Sequence, residues 1–265
     1  MSSTITPIEV GDQGNVVYLV VAQRAVFIDS GHDVDGEVDL LIREWIKAGR
    51  PEITEIILTH RHHDHVGGAE KLADATGGLI VCAPLEKCSI EEAIRGASVD
   101  RVVKDGELLD LGGVTLEYVH APGHTMGILC VFHHDERVLF TGDTILGGSP
   151  TTVIPGQGDM SDYLDTLRKL LTFDLSMVAP GHGPIVVDPR RNIETLIEHR
   201  LKRETQIFDL VCEGCGSIDG LMLKIYPRLD TNLRRNGKMQ IEAHLLKLES
   251  DGKVEVNEDG RYTPK

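Results

Sequence analysis

The chain has 265 residues, of which 41% are hydrophobic and 26% are charged, proportions that are ordinary for a globular protein. Its formal net charge is −15, and an acidic surface repels polyanions, so tight nucleic-acid binding is disfavoured. No apolar run approaches the roughly 20 residues of a membrane helix, and the start, MSSTITPIEV, does not resemble a secretory signal. Five scattered cysteines do not suggest a disulfide framework, so we expect a cytoplasmic protein without membrane contact.

Strand-like and helix-like stretches alternate through the first part of the chain. Short apolar, β-branched runs predict strands at Val16–Val21, Ala25–Ile28, Ile53–Leu58, Leu79–Ala83, Val114–Val119, Ile128–Phe132, Arg137–Phe140 and Ser176–Ala179. Helical spacing of apolar residues predicts helices at Glu37–Ala48, Gly67–Ala75 and Ser161–Leu171. This order predicts a mixed α/β layer structure.

The pattern changes after about residue 189. Three helical stretches follow, and then a polar hairpin-like tail: Asn192–Val211, Ser217–Tyr226, Thr231–Glu249 and Asp251–Tyr262. The charge changes as well, from a net −16 over residues 1–189 to a net +3 over residues 190–247. We therefore predict two domains, a catalytic domain at 1–189 and a small winged-helix-like domain at 190–265.

One turn is crowded with metal-binding side chains. The stretch THRHHDHVGG, from Thr59 to Gly68, directly follows a predicted strand. His60 and His62 lie two residues apart and can converge on one ion, whereas Asp64 and His65 lie one turn further on and point elsewhere. Imidazole and carboxylate suit zinc, and also iron or manganese. One loop could therefore supply half of each of two neighbouring metal sites.

Three later residues are suitable partners for this turn. His124 in APGHT, Asp143 in FTGD and His182 in APGHG each follow an apolar strand and stand among glycine or proline residues. The carboxyl ends of strands are where an α/β sheet holds ligands, and glycine lets the backbone approach an ion closely. We therefore predict that these three side chains meet the histidine turn.

Other candidate ligands have simpler interpretations. His63 lies between two predicted ligands and is expected to face outward, with support of a neighbouring ligand as the alternative. A structural role is the simplest interpretation for the remaining histidines, which are His32, His120, His133, His134, His199 and His244. Cys212 and Cys215 lack two further ligands at zinc-site spacing, so we expect incidental thiols at a helix end.

The histidine turn, with the later Gly-His-Thr, Thr-Gly-Asp and Gly-His-Gly, resembles the metallo-β-lactamase superfamily. Together with HRLKRETQI and the helical C-terminus, the chain resembles the β-lactamase-like protein 2 family nearly end to end. The resemblance implies an αβ/βα four-layer sandwich with a C-terminal winged-helix-like domain. It also implies that Asp29, in FIDSG, braces the histidine turn. The implied ligands are His60, His62 and His124 for one metal, Asp64, His65 and His182 for the other, and Asp143 bridging the two.

Such a ligand set predicts two divalent metal ions, with zinc as the first choice and iron or manganese as alternatives. Two metals can share one water and lower its pKa toward 7, so a bridging hydroxide would be the nucleophile. Asp64 would orient that hydroxide or relay a proton, and Asp143 would hold both metals. No G-x-S-x-G serine elbow is present in the sequence.

Three functions remain open at this point. The first is hydrolysis of a small-molecule ester, thioester, lactone or lactam, which suits the acidic catalytic domain. The second is endoribonuclease activity on single-stranded RNA, as the resemblance implies for some members, although aromatic residues for base stacking are only 4%. The third is a catalytically silent scaffold or DNA-binding regulator. Thr151 and Thr152, in the loop after Asp143, are candidate substrate contacts, and the sequence does not indicate an oligomeric state.

Overall fold

The computed structural model describes residues 3–11, 14–32, 34, 36–94 and 96–265. These residues form two compact units. The first comprises Met1–Ala121, Met126–Thr151 and Asp174–Pro189, and the second comprises Pro122–Thr125, Thr152–Phe173 and Arg190–Lys265. The predicted boundary after residue 189 stays a prediction. Within the described residues, no helix has the length and apolar character needed to cross a membrane.

The first unit contains two β-sheets. The first sheet has six strands in the spatial order of the chain: β1 (Thr4–Val10), β2 (Asn15–Val21), β3 (Ala25–Ile28), β4 (Ile53–Ile57), β5 (Leu79–Cys82) and β6 (Arg101–Val102). Strands β3 to β6 run parallel. The second sheet has the order β11 (Met177–Pro180), β10 (Val138–Gly142), β9 (Leu129–His133), β8 (Thr115–His120) and β7 (Leu108–Asp110). Only β10 and β11 pair in parallel in this sheet.

Side-chain alternation along β2 links two apolar cores. Val17 and Leu19 pack with residues of the first unit's helices, whereas Val16, Tyr18 and Val20 pack against side chains of the second sheet. Successive strand residues point to opposite faces, so a strand that is apolar throughout its length must be covered on both faces. This explains why NVVYLVV lacks a polar face, and it confirms the predicted layer structure.

Four helices complete the described part of the first unit: α1 (Glu37–Lys47), α2 (His63–Val66), α3 (Ala69–Thr76) and α4 (Lys87–Ala93). The sequence predicted one helix at Gly67–Ala75, but two short helices meet there, at Gly67 and Gly68. A Cβ at Gly68 would lie 2.4 Å from the carbonyl oxygen of Ser30, so only glycine fits this approach. Helix α4 and the strands β1, β6 and β7 were not predicted.

The second unit contains mainly helices. They are α5 (Met160–Leu170), α6 (Pro189–Cys212), α7 (Ile218–Ile225) and α8 (Arg234–Ser250), and the hairpin of β12 (Val254–Val256) and β13 (Tyr262–Pro264) follows. The predicted helix at Thr231–Glu249 begins as a short 3-10 turn, Thr231–Leu233, and continues as α8. Ile207, Leu221, Ile241 and Val254 share one core, so three helices and a β-hairpin pack together as predicted for a winged helix.

Candidate metal centre

The histidine turn separates its ligands by a change of backbone conformation. Strand β4 ends at Ile57, and His62 is still extended, with φ −67° and ψ 140°. The carbonyl of His62 then accepts hydrogen bonds from the amides of His65 and Val66, which starts α2. His60 and His62 therefore precede the helix, while Asp64 and His65 belong to it.

The ends of β10 and β11 bring Asp143 and His182 to one edge of the second sheet. The two strands are parallel, and the amide of Gly181 donates to the carbonyl of Gly142 over 2.8 Å. A Cβ at Gly142 would lie 2.6 Å from Oγ1 of Thr59, and Gly142 has a φ of +46°. Glycine is therefore required for this edge to approach the histidine turn.

His124 lies in the loop between β8, which ends at His120, and β9, which begins at Leu129. Its Nδ1 lies 2.6 Å from the carbonyl oxygen of Thr152. A carbonyl only accepts hydrogen bonds, so Nδ1 is the donor in this contact and Nε2 is the ring nitrogen that can face a metal. This arrangement is typical of metal-ligating histidines, whose other ring nitrogen donates to a fixed acceptor.

The seven predicted ligands fall into two groups. His60, His62, His124 and Asp143 form the first, and Asp64, His65 and His182 form the second. Within each group, one ligand atom per residue lies within 4.8 Å of the others. We call these the four-ligand group and the three-ligand group. Their imidazole and carboxylate donors are the set that binds zinc, iron or manganese.

Asp143 lies close to both groups. It is a member of the four-ligand group, and its Oδ1 also lies 3.3 Å from Nε2 of His65 and 3.6 Å from Nε2 of His182. A Cβ at Gly181 would lie 2.7 Å from Cε1 of His65 and 3.1 Å from Oδ1 of Asp143. The glycine thus leaves the space between these donors open, which fits a bound cation.

Asp29 forms hydrogen bonds with two residues of the histidine turn. Its Oδ1 accepts from the amide of Thr59 (2.8 Å), and its Oδ2 accepts from Oγ1 of Thr59 (3.0 Å) and from Nδ1 of His65 (2.7 Å). Asp29 is buried and has a φ of +64°, in the left-handed region. Because the carboxylate holds Nδ1 of His65, Nε2 is directed toward Asp143 and His182.

Carboxylates dominate the electrostatics of the three-ligand group. Burial alone would lower the pKa of His65, but Asp29 and Asp143 outweigh it and hold that pKa well above its ordinary value. The pKa of His182 is likewise raised, because Asp64 and Asp143 overcome the effect of burial. Burial would raise the pKa of Asp64, but His182 and His65 hold it well below its usual range. The same field that favours a proton here favours a divalent cation.

Two supporting residues were missed by the sequence analysis. The side-chain amide of Asn15, at the start of β2, donates to the carbonyl of Asp64. Glu86 is fully buried and accepts hydrogen bonds from the backbone amide and side chain of Arg61 and from the amide of Gly127. An acidic residue after the apolar run Leu79–Ala83 is visible in the sequence, but its partners are not.

The two threonines proposed as substrate contacts lie on either side of a unit boundary. Thr151 is buried, with 2% of its surface exposed, and Thr152 supplies the carbonyl that orients His124. Thr152 therefore contacts the site through its backbone carbonyl, which orients the ring of His124. Contact of either side chain with a substrate stays a prediction.

Comparison with known protein families shows which family the chain belongs to. The metallo-β-lactamase superfamily model matches residues 10–182, which include all seven predicted ligands. The chain belongs to the metallo-β-lactamase superfamily. It is thus a hydrolase of that superfamily with the mixed α/β fold, and residues 217–262 match the β-lactamase-associated winged helix domain. Both the fold and the C-terminal domain type were predicted correctly.

Two relatives have moderate sequence identity to this chain. The chain is 29% identical over 252 residues to a β-lactamase-like protein 2 homolog from Caenorhabditis elegans, covering 92% of this chain and 81% of the relative. It is 27% identical over 199 residues to an atrochrysone carboxyl ACP thioesterase from Aspergillus novofumigatus, covering 73% and 56%.

Solved structures show the same fold. A metallo-β-lactamase family protein from Thermus thermophilus superposes with a TM-score of 0.78 at 20% identity, covering 99% of this chain and 98% of that protein. A 25% identical protein solved in a di-iron-bound form superposes with a TM-score of 0.57, covering 70% and 96%.

Proposed function

We propose that the chain is a two-metal hydrolase of small acyl substrates, with thioesters and esters as the main class and lactones or lactams as related substrates. The observation that carries the proposal is the position of Asp143 among both ligand groups. A carboxylate with two oxygens can serve two ions at once, and each group has three other donors. The acyl specificity is supported by the net −16 of residues 1–189 and by the thioesterases among the relatives.

The residues divide the work as follows. His60, His62 and His124 would hold the first ion, Asp64, His65 and His182 the second, and Asp143 both. Two divalent ions would polarise the substrate carbonyl and lower the pKa of a water so that it attacks the carbonyl carbon at neutral pH. Zinc is our first choice, and iron or manganese would suit the same donors.

Asp64 is the residue placed to move the proton. Its side chain is 29% exposed, whereas that of His65 is fully buried, so Asp64 can face both the ions and the substrate. Its Oδ2 lies 3.0 Å from Nε2 of His182, and His182 and His65 together keep the carboxyl ionised. The proton lost by the attacking water would pass through Asp64 to the departing thiolate or alkoxide.

Asp29 and Thr152 would keep the ligands in position. The carboxylate of Asp29 and the carbonyl of Thr152 each fix one ring nitrogen of a histidine, so the other nitrogen is presented as a ligand in the correct tautomer. Such preformed contacts favour the affinity of the site for an ion. Five free cysteines suit a reducing compartment, and the cytoplasm is accordingly our proposed location.

Metal analysis combined with a substrate panel tests this function. We expect two equivalents of a transition metal per chain and hydrolysis of a thioester or lactone that is insensitive to added salt. The panel includes a β-lactam and single-stranded RNA. Fewer than two equivalents of every metal tried would overturn the two-metal site. RNA cleavage as the main activity, falling steeply with salt, would replace the acyl function with the nuclease function.

A further inference from the structure

A cleft of about 280 Å³ opens in the first unit, beside the histidine turn. It is lined by the residues that follow β5 and β6 and by the end of β8 and the start of β9, which are Ala83, Pro84, Leu85, Val103, Lys104, Asp105, His120 and Leu129. Strands β4, β5 and β6 are parallel, so their carboxyl ends share one edge of the sheet. The cleft therefore lies along the same edge as the turn that follows β4.

One wall of the cleft is attached directly to the histidine turn. Nη2 of Arg61, which stands between His60 and His62, donates to the carbonyl of Leu85 over 3.3 Å. The carboxylate of the adjoining Glu86 accepts from Nε of Arg61 (2.7 Å) and from the amide of Gly127 (3.0 Å). The wall is thus attached by hydrogen bonds to the histidine turn and to the loop that precedes β9.

The lining of the cleft is mainly apolar. Ala83, Val103 and Leu129 form a buried floor, and Leu85, with 61% of its surface exposed, stands at the mouth. Lys104 and Asp105 carry opposite charges and give no net preference for a charged ligand. An exposed leucine over an apolar floor gains free energy when an apolar group covers it.

The size of the cleft limits its occupant. Small-molecule pockets usually enclose about 300–1,000 Å³, so a cleft of about 280 Å³ takes part of a small molecule. A short aliphatic chain or a single ring fits this space, and a polymer does not. The acyl group of a thioester has this character, because it is uncharged and apolar beyond the carbonyl.

We propose that this cleft binds the apolar acyl chain of the substrate whose carbonyl is hydrolysed at the metal groups, which rests on the function proposed above. The cleft then selects substrates by the length of their acyl chain. Arg61 and Glu86 act as positioning residues, because they hold the wall of the cleft at a fixed distance from His60 and His62.

A pair of matched leucine variants tests the proposal. Leu85 and Leu108 are both 61% exposed, but Leu108 lies on β7 and does not line the cleft. We expect Leu85→Asn to lower kcat/KM for the hexanoyl thioester of N-acetylcysteamine about tenfold. The acetyl thioester should be hydrolysed within about twofold of the wild-type rate. Leu108→Asn should leave both values unchanged. Equal effects of the two variants on both thioesters would overturn the proposal.

A binding measurement separates this proposal from the proposed reaction. The probe is S-hexyl-N-acetylcysteamine, a thioether that cannot be hydrolysed, added to the wild-type protein. We expect saturable shifts in the methyl NMR signals of Leu85, Val103 and Leu129. If these shifts occur but no thioester is hydrolysed, the reaction is wrong and the apolar cleft site stands. If thioesters are hydrolysed but no cleft methyl shifts, the cleft proposal is wrong and the reaction stands.

Discussion

Two fully buried histidines, one in each unit, lie in opposite electrical environments. His65, in the three-ligand group, contacts Asp29 and Asp143, and these carboxylates raise its pKa against the effect of burial. His244, on α8, is equally buried, but its charged neighbours are cations. Burial first, and then Arg200, Arg203 and Lys247, lower the pKa of His244 to about 3.

The difference shows that burial alone does not make a histidine a ligand. Both imidazole rings are fully buried and therefore removed from water. A divalent cation is favoured only where nearby carboxylates compensate its charge, which is the case around His65. Around His244 the local field repels a cation. The sequence analysis assigned a structural role to His244 as an isolated histidine, and the positive charges around it agree with that assignment.

The largest effect is expected when the carboxylate of Asp143, which lies close to both ligand groups, is removed. Asp143→Ala takes away a donor of the four-ligand group and a negative charge that lies close to both His65 and His182. We expect loss of at least one metal equivalent and a fall in kcat of more than about 100-fold, beyond the usual cost of losing an outer contact of a ligand. Elemental analysis and turnover of the best panel substrate measure both effects.

The matched control for that variant is Asp165→Ala. The side chain of Asp165 is 73% exposed on α5, and it pairs with the neighbouring Arg168 in a contact of the kind that stabilises proteins little. This variant should keep full metal content and activity. Retention of both metals and full turnover by Asp143→Ala would exclude a bridging role for this residue.

A smaller effect is expected when only the charge behind His65 is removed. Asp29→Asn keeps a residue that tolerates a positive φ, and its side-chain carbonyl can still accept from Thr59. It loses the negative charge that faces Nδ1 of His65. We expect metal affinity to fall about 10- to 100-fold, with little change in the unfolding midpoint, as measured by competition with a chelating dye. Unchanged affinity would mean that Asp29 supports only the backbone.

Several elements could be read from the sequence because their cause is local. The prediction for β3, Ala25–Ile28, matches the structure residue for residue, since AVFI is a short apolar run bounded by polar residues. The histidine turn was equally readable, because its donors are spaced to meet after a strand. A group of metal-binding side chains within ten consecutive residues can be recognised in the sequence without knowledge of any tertiary contact.

Other elements depend on partners that are distant in the chain. Strand β6 has only two residues, Arg101 and Val102, and exists because it pairs with β5. The role of Glu86 depends on Arg61 and Gly127, which are 25 and 41 residues away. A single sequence shows that an acid is present but not what it contacts. The sequence therefore identified the candidate ligands but not the residues that support them.

The environment of His244 predicts that the stability of the protein depends on pH. The folded-state pKa of His244, about 3, lies below its ordinary value of 6.5. As the pH falls below about 6.5, His244 becomes protonated in the unfolded chain but stays neutral in the folded protein. The free energy of unfolding should therefore decrease from pH 7 to pH 5, by at most about 2 kcal/mol from this group, and continue to decrease until the pH reaches the folded pKa.

Replacement of His244 isolates this contribution from that of the metal groups. His244→Leu removes the titrating imidazole, and carboxylates and histidines elsewhere contribute equally to variant and wild type. Urea unfolding at pH 7 and pH 5 should thus show a smaller loss of stability in the variant than in the wild type. His134→Leu, at a side chain that is 44% exposed, should keep the wild-type difference. An equal loss in all three proteins would mean that His244 is protonated within the fold, and the contrast with His65 would fail.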